Sequence, residues 1–567
     1  MRRAFVVSDI AVVTSKTWTG GRRSRQDVAR DVDWAERCRL DNGMDVGYLT
    51  RQAQWDIRRT PPESMAISLE RDASWTYADL YDKANRYSNT LLAHGIERGD
   101  RVAILLYNCL EYWAAYLGIV QIGAIAVRLN FRLTAEELEY AISDSESKIL
   151  CAHCSLLRRL EEVRHSLPVK EYFALHDPNE VESCPQWAIP WTVLESGVSR
   201  FPSVSLPAPD DGSMLMYTSG TTGRPKGALW THSNTAWFAA MQVMQWQLNA
   251  STISMVTGPM YHVGALEDIA LPTIAIGGHV VILKSTGFDI RRVLELIDYH
   301  GVTDAVLFPF MIYSMLQLAD LSEYALSSLK RIYSGGDPVL PWAVERLHTL
   351  YPHLEFTQVY GLTEGTPIAT CSTSEESWAH PDAVGRPMPF TEISLRDDTG
   401  SVVQPGQVGE IWTRSPVVSL QYWRKPEASA ATFTDGWCHT GDLGVQSEEG
   451  LLIVAGRKKD MIRTGGENVY PAEVEDVLAR HPLVREAAVI GLPDPDYIEV
   501  VCAVIVPDSP EALDADAVVD YVREHLAGYK QPRKVFFTDS LPRTPSGKVM
   551  KYELRNRYTR PDAAATN

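Results

Sequence analysis

From Thr76 onward, apolar residues recur at helical spacing. Leu80, Ala84, Tyr87 and Leu91 share one face, and the helix they predict stops at Gly95. The turn GIERGD follows, and RVAILLY reads as a buried strand. Helix and strand then alternate. EYWAAYLGIVQIGA reads as a helix, AVRL as a strand, TAEELEYAISD as a helix capped by Thr134, and KILCA as a strand. Such an order predicts a parallel sheet flanked by helices. The proline-rich run from Cys184 to Gly212 has few periodic apolar positions and reads as a surface connection. SMLMY and ALW are strand-like. Beyond them, Ser233 to Leu248 reads as a helix, and Asp289 opens another with Ile290, Val293, Leu294 and Ile297 on one face and Gly301 at its end. With DAVLFP as the next strand, a second sheet of the same kind is expected. From Glu392 to Trp412 the pattern shortens to ISLRD and GEIWTR, separated by turns, which predicts a small antiparallel barrel or sheet. After Arg457, PAEVEDVLARH, AAVIGLP, VVCAVIVP, DADAVVDYVREHLA and KVFFTD read as helix, two strands, helix and strand. Together they make an α+β module of about 100 residues, small enough to move as a unit.

At 567 residues the chain is too long for one core. A net charge of -18 argues against nucleic acid as a main partner, because phosphate binding wants a basic surface. No apolar run is long enough to span a membrane. The eight cysteines suggest no disulfide framework. Cys151 and Cys154 are close in sequence but have no second pair nearby, so reduced core thiols are expected, in keeping with a cytoplasmic location. Asp9 interrupts the apolar run of MRRAFVVSDIAVV, and the charged stretch after it is nonperiodic. Residues 1–43 therefore read as a disordered extension or a start-site artefact, with Met44 as the beginning.

The chemistry concentrates in Met216 to Ala228, MYTSGTTGRPKGA. Gly220, Gly223 and Gly227 are interleaved with Thr218, Ser219, Thr221 and Thr222, and Lys226 follows. Glycines let the backbone N–H groups approach an anion, while hydroxyls and one ammonium add donors. Strands on both sides would hold the loop open. No Gly-Lys-Ser/Thr closes it, so it is not a Walker loop.

TSGTTGRPKG resembles the phosphate-binding signature of the adenylate-forming superfamily, which includes acyl-CoA and aryl-CoA synthetases, luciferases and peptide-synthetase adenylation domains. The resemblance runs from about Met44 to about Tyr558. It implies an N-terminal domain over 44–456, built from two flavodoxin-like βαβ sheet subdomains and a small β-barrel, a hinge at 457–459, and a mobile C-terminal α+β domain over 460–567. YGLTEG resembles the second nucleotide motif and implies Tyr360 and Gly361 on the adenine, Thr363 near the α-phosphate, and Glu364 with Thr218 on Mg²⁺. SGGDPV implies that Gly335, Gly336, Asp337 and Pro338 wall the adenine and acyl pockets; Asp337 could equally be a turn residue. DGWCHTGD implies Asp442 on the ribose hydroxyls, AGRKKDMI implies Arg457 on ribose and phosphate with Lys459 as the hinge, and TGGENVYPAEVE implies Gly465 and Gly466 on the CoA side. PRTPSGKVMKYELR contains the catalytic lysine as Lys548. PMYHVGAL implies His262 beside the acyl carboxylate, with Val263, Gly264 and Phe308 in the acyl pocket. Where relatives carry Pro-Leu-Asn this chain has Arg128, Leu129 and Asn130, a change expected to free the backbone and leave function intact.

The resemblance implies an ATP-dependent, AMP-forming ligase that joins a fatty or aryl carboxylic acid to CoA, with ATP and Mg²⁺ as cofactors, CoA as cosubstrate and a homodimer as an open alternative to a monomer. An amide-bond synthetase or a carrier-loading enzyme would use the same adenylate. A nonenzymatic nucleotide sensor would need no Lys548.

Overall fold

The computed structural model describes residues 60–177, 183–218, 224–324, 326–337, 339–464, 467–495, 497–509, 513–543 and 549–559. The 1–43 extension, most of the Gly/Thr loop, Pro338, Gly465, Gly466 and Lys548 lie outside them.

The chain is mixed α/β, and two large sheets carry its N-terminal part. The first has eight strands. Its parallel centre comprises Arg101–Leu105, Ile125–Arg128, Ile149–His153, Glu171–Leu175 and Gly212–Thr218, and Lys226–Thr231 adds antiparallel beside the last of these. The second has nine strands, with Ile253–Val256, His279–Ile282, Asp304–Val306, Arg331–Gly335 and Glu355–Tyr360 parallel at its centre. The alternation of apolar helix and strand between Thr76 and His153 forms as the periodicity predicts. The helix Tyr77–Ala93 begins in a capping box at Thr76, and Ala135–Ser145 begins in one at Thr134. Asp289 caps Ile290–His300, and Gly301 ends that helix in the left-handed region at φ 65°.

The hairpin Met65–Leu69 and Ala73–Thr76, unread in the sequence, joins the second sheet beside His279–Ile282. One apolar cluster runs through both sheets, taking Val102 and Ile104 from the first and Val280 and Ile282 from the second. The helix Leu110–Val120 belongs to it and is buried on every side except at Glu111, which is why it reads as uniformly apolar.

Between Glu392 and Arg457 the chain forms a five-stranded antiparallel sheet, and from the same stretch Gln421–Tyr422 joins the edge of the first sheet. The C-terminal module has its own five-stranded sheet around the hairpin Val484–Asp494 and Ile498–Pro507, with helices Pro471–Ala479 and Ala515–His525 packed in a separate core.

One expectation is corrected. Cys154 and Cys184 are joined in a disulfide with Cα atoms 4.8 Å apart, not reduced as isolated thiols. The proline-rich connection returns past the end of Ile149–His153 and brings together two cysteines 30 residues apart in sequence, a proximity that spacing alone does not reveal. Cys151 is free and buried, and burial pushes its thiol up to about 12.

Candidate active site

Most of the sequence motifs sit at the carboxyl ends of the parallel strands, where open α/β sheets leave a crevice. In the second sheet four neighbouring strands each deliver one. His262 follows Ile253–Val256, Phe308 follows Asp304–Val306, Gly335 closes Arg331–Gly335, and Tyr360 closes Glu355–Tyr360 with Thr363 and Glu364 beyond it. In the first sheet Thr218 ends Gly212–Thr218, and Lys226, paired with it across the hairpin, opens the return strand.

These ends converge. The Thr218 hydroxyl donates to Glu364 Oε1 at 2.6 Å, and the Tyr422 hydroxyl donates to the same oxygen at 3.1 Å. Lys226 Nζ stands 4.6 Å from the centre of the Tyr422 ring. Thr363 is fixed through its carbonyl, which accepts from Trp230 Nε1 at 2.9 Å and from the Ser419 hydroxyl at 3.2 Å. Burial and the Glu364 carboxylate both hold the Tyr422 phenol above its ordinary range, so it stays a donor.

A second polar group lies close by. Tyr360 donates its hydroxyl to Asp442 Oδ2 at 3.0 Å, and Arg457 Nε lies 3.0 Å from Asp442 Oδ1. Asp442 and Arg457 face each other across an antiparallel pair, which fixes the carboxylate from both sides. The buried Cys438 thiol, raised chiefly by burial, feels both Glu364 and Asp442, so the two carboxylates belong to one neighbourhood. Gly361 is required by a close approach, since a Cβ there would meet the Thr366 carbonyl oxygen at 2.1 Å. Gly336 is at φ 90°, in the left-handed region that favours glycine, and Asp337 beside it is half-buried.

Glu364 Oε2 makes no hydrogen bond among the described residues, whereas Oε1 is held by two hydroxyls. One free carboxylate oxygen next to a threonine hydroxyl fits a hard cation that takes its remaining ligands from phosphates and water, as Mg²⁺ does.

His262 caps the short helix Val263–Leu266, its Nδ1 accepting from the Gly264 N–H at 3.1 Å. Desolvation, then the Arg128 guanidinium, lowers its pKa to about 4, so the ring is neutral at neutral pH. Phe308 packs over Gly258, where a Cβ would meet its ring at 3.0 Å.

Sequence reasoning missed several supporting residues. Tyr422 enters because Gln421–Tyr422 pairs antiparallel with Lys226–Thr231, far away in the chain. Arg128 is more than a lost proline. Its side chain is fully buried, ion-paired to the equally buried Glu267, and its Nη2 donates to the carbonyls of Met260 and His262. An arginine amid an apolar strand was the available signal.

Residues 53–423 match the AMP-binding enzyme family and 473–548 match the AMP-binding enzyme C-terminal domain. The chain is a member of the adenylate-forming, AMP-binding enzyme family. It is 36% identical over 511 residues to a feruloyl-CoA synthase of Amycolatopsis sp, covering 89% of this chain and 98% of that protein. It is 33% identical over 520 residues to the long-chain-fatty-acid–CoA ligase FadD13 of Mycobacterium tuberculosis, covering 91% of this chain and 98% of that protein. Among solved structures, the ATP-bound MatB of Rhodopseudomonas palustris superposes with a TM-score of 0.82 at 31% identity, over 90% of this chain and 99% of that one.

Proposed function

We infer that this protein is an AMP-forming carboxylate–CoA ligase that activates a fatty or aryl acid as its acyl-adenylate and passes the acyl group to CoA. The observation that carries the reading is the joining of Thr218, at the edge of the Gly/Thr loop, to Glu364 at 2.6 Å, beside the Tyr360–Asp442–Arg457 group. The loop supplies phosphate donors, with Lys226 at its base. Asp442, already oriented by Tyr360 and Arg457, offers a fixed two-oxygen acceptor for ribose hydroxyls. Bound Mg²⁺ would neutralise triphosphate charge at Glu364 and Thr218. A carboxylate oxygen of the acid, beside neutral His262, attacks the α-phosphorus. The bond from that phosphorus to the bridging oxygen breaks, and pyrophosphate carries away the electron pair. Lys548 is assigned to hold the carboxylate and α-phosphate together as charge builds.

The second step uses the C-terminal module. Lys458 is ion-paired to Asp398 at 2.8 Å and Glu410 at 3.1 Å in the antiparallel sheet, whereas Asp460 is paired to Arg555 of the last helix at 2.8 Å. Lys459 stands between the last anchor of one part and the first of the next, which supports the hinge at 457–459. Rotation there would withdraw Lys548 and bring Gly465 and Gly466 to the adenylate, where the CoA thiol attacks the carbonyl and AMP leaves. ATP and CoA are cytoplasmic metabolites, so we place the enzyme there; a homodimer is a separate expectation, tested by light scattering. Product analysis tests the activity itself. AMP and pyrophosphate are expected with ATP, Mg²⁺, CoA and an acid, and ADP with phosphate would refute the reading.

A further inference from the structure

Two opposite charges meet a single side chain beside the Gly/Thr loop. Tyr422 is buried, and its two ends serve different residues. Its hydroxyl donates to Glu364 Oε1 at 3.1 Å, while the Lys226 ammonium lies 4.6 Å from the centre of its ring. Among the described residues Lys226 Nζ has neither an ion pair nor a hydrogen bond, so the ring is what holds it. An aromatic face attracts a cation without neutralising it, and the half-buried ammonium therefore keeps its full charge for an incoming anion. Glu364, for its part, is engaged at Oε1 by two hydroxyls and by no cation.

Tyr422 owes its place to neither charge. The residues flanking it bond to the strand that Lys226 opens: the Leu420 N–H donates to the Leu229 carbonyl at 3.0 Å, and the Trp423 N–H to the Gly227 carbonyl at 2.7 Å. Its own N–H donates to the Ser429 hydroxyl at 3.0 Å, and its ring rests on Phe433 with centroids 5.4 Å apart. Asp144 ties this strap to the strand that ends in Thr218. Its carboxylate accepts from the Tyr217 hydroxyl at 2.9 Å and from Lys425 Nζ at 2.7 Å, and its carbonyl accepts from Trp423 Nε1 at 3.1 Å. The ring is thus fixed from several sides before either charged group touches it. Without the ring, a flexible lysine stem would turn to the nearby carboxylate, the stronger attractor, and the pair would cancel.

We propose that Tyr422 is a positioning residue for the nucleotide, a spacer that keeps Lys226 and Glu364 from pairing with each other. The lysine is then left for phosphate, and the carboxylate oxygen that Tyr422 does not engage is left for the cation. This rests on the ligase reading above, and the test separates the two.

Binding of α,β-methylene ATP, which cannot be cleaved at the α-phosphorus, is measured by titration calorimetry in saturating Mg²⁺ and in EDTA, for the wild type, Tyr422→Phe and Tyr422→Leu. Wild-type affinity should rise with Mg²⁺. Tyr422→Phe keeps the ring, so its metal-free Kd should stay within about twofold of the wild type, while the gain from Mg²⁺ falls about threefold because Glu364 loses one of its two hydroxyl donors. Tyr422→Leu removes ring and hydroxyl together. Its metal-free Kd should also weaken, by about tenfold, and KM for ATP in pyrophosphate release should rise with it while KM for the acid holds. A residue that only braced the strap would leave the Mg²⁺ gain at its wild-type value in both variants, and that result would overturn the proposal. Equal metal-free Kd values in the two variants would overturn it as well, since the ring would then do nothing for Lys226. Either result leaves the ligase reading intact, because the wild type binds the nucleotide in each. If the leucine variant does not fold, the phenylalanine variant carries the test through the Mg²⁺ gain. No nucleotide binding by the wild type overturns both readings.

Discussion

Replacing Arg128 by methionine tests how much of this architecture rests on one buried charge. The guanidinium is fully buried, ion-paired to a fully buried Glu267, and bonded through Nη2 to two loop carbonyls. Methionine keeps most of the volume and removes the cation, stranding a carboxylate and two acceptors in a dry interior. Breaking such a pair from one side costs about 3–5 kcal/mol, a large share of the roughly 5–15 kcal/mol that holds a typical domain together. The stranded Glu267 should bind a proton in the folded state to relieve part of that cost. Its folded pKa, already raised by burial, then rises further above the unfolded value, so the variant gains relative stability as pH falls and loses it as pH rises. The assay is urea unfolding followed by tryptophan fluorescence at pH 5.5 and pH 8, with the deficit larger at pH 8. Arg128→Met combined with Glu267→Leu should recover most of the loss, because it removes both charges. Since Arg128 also holds the His262 carbonyl at 3.0 Å, the single variant should raise KM for the carboxylic acid. A deficit below about 1 kcal/mol, or no recovery in the double variant, would refute the buried-pair reasoning.

Asp442→Ala should raise KM for ATP by tenfold or more, while Tyr360→Phe, which removes one of the two groups orienting that carboxylate, should raise it less; equal effects would count against the orientation account. Lys548→Ala should slow adenylate formation about a hundredfold, the scale of one lost preorganised charge contact of about 3 kcal/mol, yet spare thioester formation from supplied adenylate. Lys459→Pro should do the reverse, because a fixed φ hinders rotation, and equal loss of both steps in each variant would mean that one static site does all the chemistry. His153, His232, His262 and His279 are each lowered to about 4, with burial the leading cause, so the unfolded chain, with rings near 6.5, binds protons that the folded chain refuses. Their contribution to stability is therefore complete above about pH 6.5 and lost as pH falls toward 4, and a melting temperature flat over that window would refute it.

The local rules were enough for most of the elements and for the motif positions. Thr76, Thr134, Asp289 and Gly301 mark helix ends because capping is settled by atoms within a few residues. The motifs at Thr218, Tyr360 to Glu364, and Asp442, which we propose bind phosphate and ribose, were legible because such recognition needs particular groups in a fixed local order, whatever lies around them. What the sequence could not determine is which distant residues complete those groups. Tyr422 meets Glu364 through strand pairing, the hairpin at Met65–Thr76 crosses to the second sheet, and Cys184 returns to Cys154. Arg128 looked like the loss of a proline until the fold put Glu267 against it. Each of these depends on non-local contacts formed only when separate strands and loops pack into one interior, where burial decides whether a carboxyl or a guanidinium is an exposed charge or a partner that must be matched.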